Sequence, residues 1–236
     1  MTPSAKYQGG ELELFAGAMH WKSYVRDMLH PYLGRRVAEI GAGVGGTTSA
    51  LCRGGDFDWY CVEPDPELAS KLRNRINAGD LPDCCHVQLG TVESLSAEAP
   101  FDSVLYIDVL EHIRDDRQEL QNAKRLLSPD GRLIVLSPAH QWLYSPFDRA
   151  IGHFRRYSRR SLIAVGDIAG LRLESCFYLD SAGMLASLAN RLVLRQSQPT
   201  ARQIRFWDSR LVPVSRRLDQ VVCHKFGKSV VGIWRA

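Results

Sequence analysis

Val37-Ala38-Glu39-Ile40-Gly41-Ala42-Gly43-Val44-Gly45-Gly46-Thr47-Thr48 runs from apolar residues through a cluster of glycines into a segment able to start a helix. An apolar run of this length is what a strand buried on both faces requires. Glycine is needed where a tight turn takes backbone angles other residues avoid, or where a ligand must approach the main chain. A helix opening after the turn is expected to point its first N–H groups at that ligand. Strand, glycine turn and helix together predict a nucleotide-like ligand and the first unit of an α/β domain. Gly41, Gly43 and Gly46 also satisfy GxGxxG, so this stretch alone fits a dinucleotide-binding oxidoreductase equally well.

Outward from it, short apolar or β-branched runs predict strands at 59–62, 85–89, 103–107 and 133–137 beside the first at 37–40. Helical spacing predicts helices at 45–52, 66–76 and 114–127 between them. Strands alternating with helices imply right-handed crossovers and a mostly parallel sheet covered on both faces. Ahead lies an aromatic-rich helical segment, 11–29. Behind come a strand near 171–178, helices between 181 and 221, and a last strand at 229–234. With no repeat or low-complexity linker, the expectation is an N-terminal helical lid over 1–33 and one domain over 34–236, with a helical cap inserted at about 181–219.

The chain has 236 residues, 45% hydrophobic and 24% charged, ordinary values for a packed globular domain. It opens without a secretory pattern, and its most apolar segment, 182–194, is broken by Asn190 and Arg191. A cytoplasmic location is therefore expected. Six cysteines show no CxxC pair or zinc spacing, so they are expected reduced, with no metal site. Residues 149–236 carry 14 Arg and 2 Lys against 5 acids, or +11, leaving −7 for residues 1–148. The basic part should face something negative.

Glu63 ends the second strand, in Val62-Glu63-Pro64-Asp65, 22 residues after Gly41. A carboxylate there can accept hydrogen bonds from both ribose hydroxyls. Glu39 with Gly41-Ala42-Gly43-Val44-Gly45 resembles the E/D-x-G-x-G-x-G signature of class I S-adenosylmethionine-dependent methyltransferases. Phe101 to Ile113 resembles that family's fourth strand and following loop, and Leu126-Leu127-Ser128-Pro129-Asp130-Gly131 its entry to the fifth. The resemblance runs in order from Gly34 to Pro138 and resumes at Gly227 to Arg235. It implies a Rossmann-like seven-stranded sheet of order 3-2-1-4-5-7-6 with the last strand antiparallel, and S-adenosylmethionine as cofactor. It places Glu39 near the methionine amino group, Gly41, Ala42 and Gly43 beneath the cofactor, and Glu63 with Pro64 at the ribose. Thr91 and Val92 fall near the adenine, although Thr91 departs from the family's Gly-Asp-Ala, and Ile107 and Asp108 fall at the methionine end.

Ligands in open α/β sheets gather beyond the carboxyl ends of the strands. The long segment 137–157 after the fifth strand should thus border the transferring methyl group. It resembles the P-x-H…D…GH-x-RRY segment of a bacterial methyltransferase subgroup acting in glycan, lipid or secondary metabolism. A hydroxyl acceptor would need a base, for which His140 or His153 has a suitable intrinsic pKa, with Asp148 to orient it. Arg155 and Arg156 could clamp an anionic group, and Tyr144, Tyr157, Trp142 and Trp21 could wall an apolar portion. In the cap, an apolar stripe through Met184, Leu185, Leu188, Leu192 and Leu194 lies beside Arg191, Arg195, Arg202 and Arg205. It fits a lipid-like acceptor or peripheral membrane contact, or simply a helix packed on the sheet.

The expected function is methylation of a small anionic or amphiphilic acceptor, at oxygen by default. The rivals are an NAD-dependent oxidoreductase and a nucleic-acid-binding protein or methyltransferase. The second lacks a recognisable binding module and an Asn/Asp-Pro-Pro-Tyr/Phe run after the fourth strand. Plainer roles stand beside the functional ones: Asp65 as a helix cap, Asp102 and Asp130 as turn residues, and Glu111 and His112 as structural or near-cofactor groups.

Overall fold

Seven strands, β1 (Arg36–Ile40), β2 (Asp58–Glu63), β3 (Cys85–Leu89), β4 (Phe101–Ile107), β5 (Leu127–Pro138), β6 (Arg172–Leu179) and β7 (Ser229–Arg235), form one sheet in the order β3-β2-β1-β4-β5-β7-β6. This is a computed structural model that describes residues 15, 17–96, 100–189 and 199–236. β1 pairs in parallel with β2 and β4, while β7 runs antiparallel between β5 and β6. After β3 the chain returns to lay β4 on the other side of β1. The strand order therefore reverses at β1, and a crevice opens past its carboxyl end, where the glycine turn sits.

Both faces of the sheet are covered, so its strands carry apolar residues at successive positions. One layer of core gathers Val104, Tyr106, Leu120, Leu133 and Trp234, and the other Trp59, Leu105, Ile134, Leu136 and Val231. The alternation of side chains along β4 and β5 puts neighbours in different layers.

The helices are α1 (Met19–Leu29), α2 (Thr48–Leu51), α3 (Pro66–Asn77), α4 (Asp116–Lys124), α5 (Pro146–Ala150) and α6 (Arg159–Ile168). The inserted segment adds α7 (Ser181–Ala189), α8 (Ala201–Phe206), a π-helical turn (Trp207–Leu211) and α9 (Val212–Val221). Two expected helices are shorter than their periodicity suggested. The segment 45–52 is helical only over α2, because Gly45 takes φ 77° and belongs to the turn. The segment 114–127 narrows to α4, whose start is fixed by Asp115 accepting from the Gln118 N–H. α6 was not foreseen; it opens on a Ser158/Ser161 capping box and buries Leu162 and Val165.

The inserted segment and α1 are joined through buried acids. Asp208, on the π-helical turn, accepts from the backbone N–H groups of His20 and Trp21 at the start of α1 (3.2 and 2.8 Å). Asp219 on α9 accepts from Tyr24 Oη on α1 and from the Asp180 and Ser181 N–H groups. Asp180 in turn takes Trp207 Nε1 and Ser215 Oγ. Of the expected segment 11–29, residues 11–14 and 16 lie outside the described residues, as do Arg191, Leu192, Leu194 and Arg195 of the cap. Among the described residues no helix is long and apolar enough to cross a membrane.

Candidate active site

An open cleft of about 2360 Å³ runs past the glycine turn, the ends of β2 and β4, the segment after β5, α1 and the inserted helices. Sites for a single small ligand are roughly 300–1,000 Å³, so this cleft has room for two molecules.

At one end, Gly41, Gly43 and Gly45 hold φ of 69°, 58° and 77°. A Cβ at Gly41 would also meet Val109 Cγ2 at 2.7 Å. The turn differs from the expectation of free amides. Gly41 and Ala42 N–H both go to Val62 O (2.8 and 3.1 Å), Gly45 N–H to Ala42 O (2.9 Å) and Gly43 N–H to Glu63 Oε2 (2.8 Å). At these four positions, with only a one-turn helix behind them, the turn offers the cleft Cα surface rather than free amides.

Glu63 is buried yet lines the cleft, its other oxygen accepting from Asp65 N–H at 2.9 Å. Burial raises its pKa, against the two backbone N–H groups that favour the carboxylate. Each oxygen keeps a lone pair for a hydroxyl donor. Ala42, Pro64, Thr91, Ile107 and Asp108 also line the cleft, and Asp108 takes φ 55° after β4. Asp65 caps α3 through Glu67 and Leu68 N–H, the plainer of its two expected roles.

Two expected contacts are corrected. Glu39 does not line the cleft: its Oε2 accepts from Thr48 Oγ1 (2.7 Å) and Trp59 Nε1 (2.8 Å) within the sheet's second core layer. Burial pushes its pKa up to about 7. It shares the parity of Val37 on β1, whereas the cleft begins at Ile40. Val92 likewise places its side chain in the core rather than the cleft.

The segment after β5 divides sharply. His153 and Asp148 come together on the cleft, with Nδ1 of the histidine 2.9 Å from Asp148 Oδ1. Asp148 is almost fully buried and also takes the Arg156 fork (2.8 and 2.9 Å) and the Ser145 N–H and hydroxyl. Burial alone would raise its pKa, but the hydrogen bonds from His153, Arg156 and Ser145 hold it well below the ordinary carboxylate range. Arg156 lines the cleft with its charge committed to that fork, and Tyr144 lines it while donating to His153 O.

His140, Arg155 and Tyr157 are corrected, for none lines the cleft. His140 turns away at φ 66° and stacks on Tyr178, ring centroids 4.9 Å apart, with Trp142 against its other side. Arg155 and Tyr157 both donate to Asp116 at the start of α4, and Tyr157 lies in the core. They brace the segment instead of meeting a ligand.

Glu111 and His112, read from the sequence as structural or near-cofactor groups, and Lys228, which that reading did not single out, complete this wall. Glu111 and His112 line the cleft beside His153, the two histidine rings edge to face at 4.5 Å. Burial, then the neighbouring His153, pushes His112 down to about 4, and burial raises Glu111 well above the carboxylate range. Lys228 lines the cleft before β7, its ammonium 5.1 Å over the Trp207 ring, and burial lowers its pKa. A lysine opening an otherwise apolar strand was the available signal. Among the described residues, the fold gathers Glu111, His112 and His153, and separately Cys52, Cys84 and Cys85, into groups whose donor atoms lie within 4.8 Å of one another. Sequence spacing hides both, since their members come from different segments. Trp21, Ile204, Phe206, Trp207 and Leu211 add an apolar wall from α1 and the insertion.

Residues 38–133 match the family model of a methyltransferase domain. The chain is 33% identical over 108 residues to a ubiquinone biosynthesis O-methyltransferase of Xylella fastidiosa, covering 44% of this chain and 42% of the relative. It is 28% identical over 136 residues to a demethylmenaquinone methyltransferase of Tropheryma whipplei, covering 55% and 53%. The matched region thus spans about half the length of either relative. The crystal structure of the cyclase SpnF superposes with a TM-score of 0.64 at 14% identity, over 99% of this chain and 97% of that one, a likeness of fold alone. Residues 38–133 are thus similar to a methyltransferase domain, and they sit in a sheet of the order that the class I resemblance implies.

Proposed function

We propose that the protein methylates a hydroxyl of a small amphiphilic acceptor, with S-adenosylmethionine as donor and a phenolic quinone precursor as the best-fitting acceptor class. The observation that carries this is one cleft lined by the glycine turn and Glu63, by the polar face of Glu111, His112 and His153, and by the apolar wall of Trp21, Ile204 and Phe206. The cofactor fits the residues present. A nicotinamide dinucleotide brings a pyrophosphate and needs free amides at the turn, whereas those of Gly41, Ala42, Gly43 and Gly45 are taken. A sulfonium nucleoside carries no phosphate and asks for Cα surface and a ribose-binding carboxylate. Glu63 would hold the ribose, Ala42 and Gly43 would lie beneath the cofactor, and Ile107 with Asp108 would flank its methionine end.

The cofactor supplies an electrophilic methyl group; the acceptor oxygen forms the new O–C bond while the C–S electron pair passes to sulfur. The protein's part is alignment and exclusion of water. Trp21 on α1 would act as lid and hold the acceptor's apolar portion with Ile204 and Phe206. The wall held by Asp148 would receive the hydroxyl and its proton. The quinone-pathway relatives support this acceptor class. The test is transfer of label from methyl-labelled cofactor to catechols and prenylated phenols, with phosphorylated sugars as the contrasting set. Label on the phenolic oxygen is expected; label only on the sugars would reject the acceptor class.

A further inference from the structure

We infer that Glu111, His112 and His153 form a site for a divalent first-row transition ion, zinc by preference, whose open coordination positions face the cleft. Glu111 and His112 follow β4 on a 3₁₀ turn (Leu110–His112), and His153 follows α5. The Phe154 N–H donating to Glu111 O at 2.8 Å ties the two segments together. One donor atom from each of the three side chains lies within 4.8 Å of the others. Small side-chain adjustments would bring all three to the roughly 2.0–2.2 Å that nitrogen and oxygen donors take around zinc.

The hydrogen bonds argue for an ion more strongly than proximity does. His153 Nδ1 faces the Asp148 Oδ1 acceptor at 2.9 Å, which orients the ring and leaves Nε2 as the nitrogen a metal could take. Nε2 lies 3.8 Å from Glu111 Oε1, too far for a hydrogen bond. Glu111 Oε1 is fully buried and has no partner, while Oε2 accepts from Ser137 Oγ at 2.8 Å. A buried carboxylate oxygen without a donor is costly. A cation held between His153 Nε2, Glu111 Oε1 and the second imidazole would give that buried oxygen its partner.

The supporting shell is that of a metal site. A carboxylate orients the histidine through its other nitrogen, and the carboxylate is itself fixed by Arg156 and Ser145. Ser137 does the same for Glu111. Two imidazoles and one carboxylate select zinc or its neighbours over magnesium or calcium, and three protein ligands leave room for an exogenous oxygen. On the functional reading above, that oxygen would be the acceptor hydroxyl. The site itself stands without that reading.

The test uses cobalt(II) as a probe on full-length protein freed of metal by a chelator, with neither cofactor nor acceptor present. The expected result is one cobalt per chain, with a visible ligand-field spectrum, displaced by zinc. Affinity should fall at least about 100-fold in His112→Ala and in His153→Ala, and roughly 10–100-fold in Ser137→Ala. Thermal melting and S-adenosylmethionine binding report whether each variant folds, and His112→Ala, the least connected of the three, serves if His153→Ala does not. Absence of stoichiometric cobalt binding would overturn the inference, since the face would then be a protonated histidine–carboxylate cluster. So would binding unchanged in the histidine variants. A thiolate charge-transfer band abolished in Cys84→Ser, with no ligand-field spectrum left, would place the ion on the cysteine cluster and overturn it equally. Loss of methyl transfer with cobalt binding intact would reject the functional reading and leave the metal site standing.

Discussion

Glu63 and Glu39 close two adjacent strands, yet only Glu63 meets the cleft. Glu63→Ala removes the proposed ribose acceptor and the hydrogen bonds from Gly43 and Asp65 N–H; a hydrogen bond to a charged group is worth about 1.5–3 kcal/mol. Affinity for S-adenosylmethionine should therefore fall roughly 10–100-fold by calorimetry, and an unchanged value would remove Glu63 from the site. Glu39 makes a different prediction. Its folded pKa of about 7 lies above the ordinary carboxylate value of 4.5, so the folded state binds the extra proton in that window. Stability from this group must then fall as pH rises from about 4.5 to about 7 and level off above. Denaturant melts across that range should show the decline in the wild type and its loss in Glu39→Gln. The sequence marks both acids as unusual for strand ends, but strand parity and a tryptophan from β2 decide which one a ligand meets.

Among the elements, α1 is held by acids that sequence reading counted only as charge. Asp208 caps its first N–H groups from the π-helical turn, and Asp219 takes Tyr24 Oη. Asp208→Ala should cost about 0.5–2 kcal/mol, the usual effect of losing a helix N-cap. Amide exchange should accelerate in 19–25 while β4 remains protected; uniform acceleration would show that α1 does not open independently. The core strands and α3 were legible because burial on both faces and a Pro-led, Asp-capped start are written locally. α6 was not, because its apolar residues follow a basic run that reads as loop. The division of the segment after β5 was also hidden. His153 meets the cleft and His140 does not, owing to a backbone reversal at φ 66° and a stacking partner, Tyr178, from β6.

For the whole molecule, the reversal of strand order at β1 places the cleft between the acidic first part of the chain and the basic last part. The glycine turn and Glu63 come from the first; the lysine before β7 and the helical insertion come from the second. A fold of this kind hosts more than one chemistry, so the donor must be argued from the site. The amides of Gly41, Ala42, Gly43 and Gly45, taken internally, and the Glu63 carboxylate on the cleft support a nucleoside donor without phosphates. Isothermal calorimetry with S-adenosylmethionine, S-adenosylhomocysteine and NAD tests it most directly. One S-adenosylmethionine per chain, displaced by S-adenosylhomocysteine and unaffected by NAD, is the predicted result; heat from NAD with none from S-adenosylmethionine would contradict it.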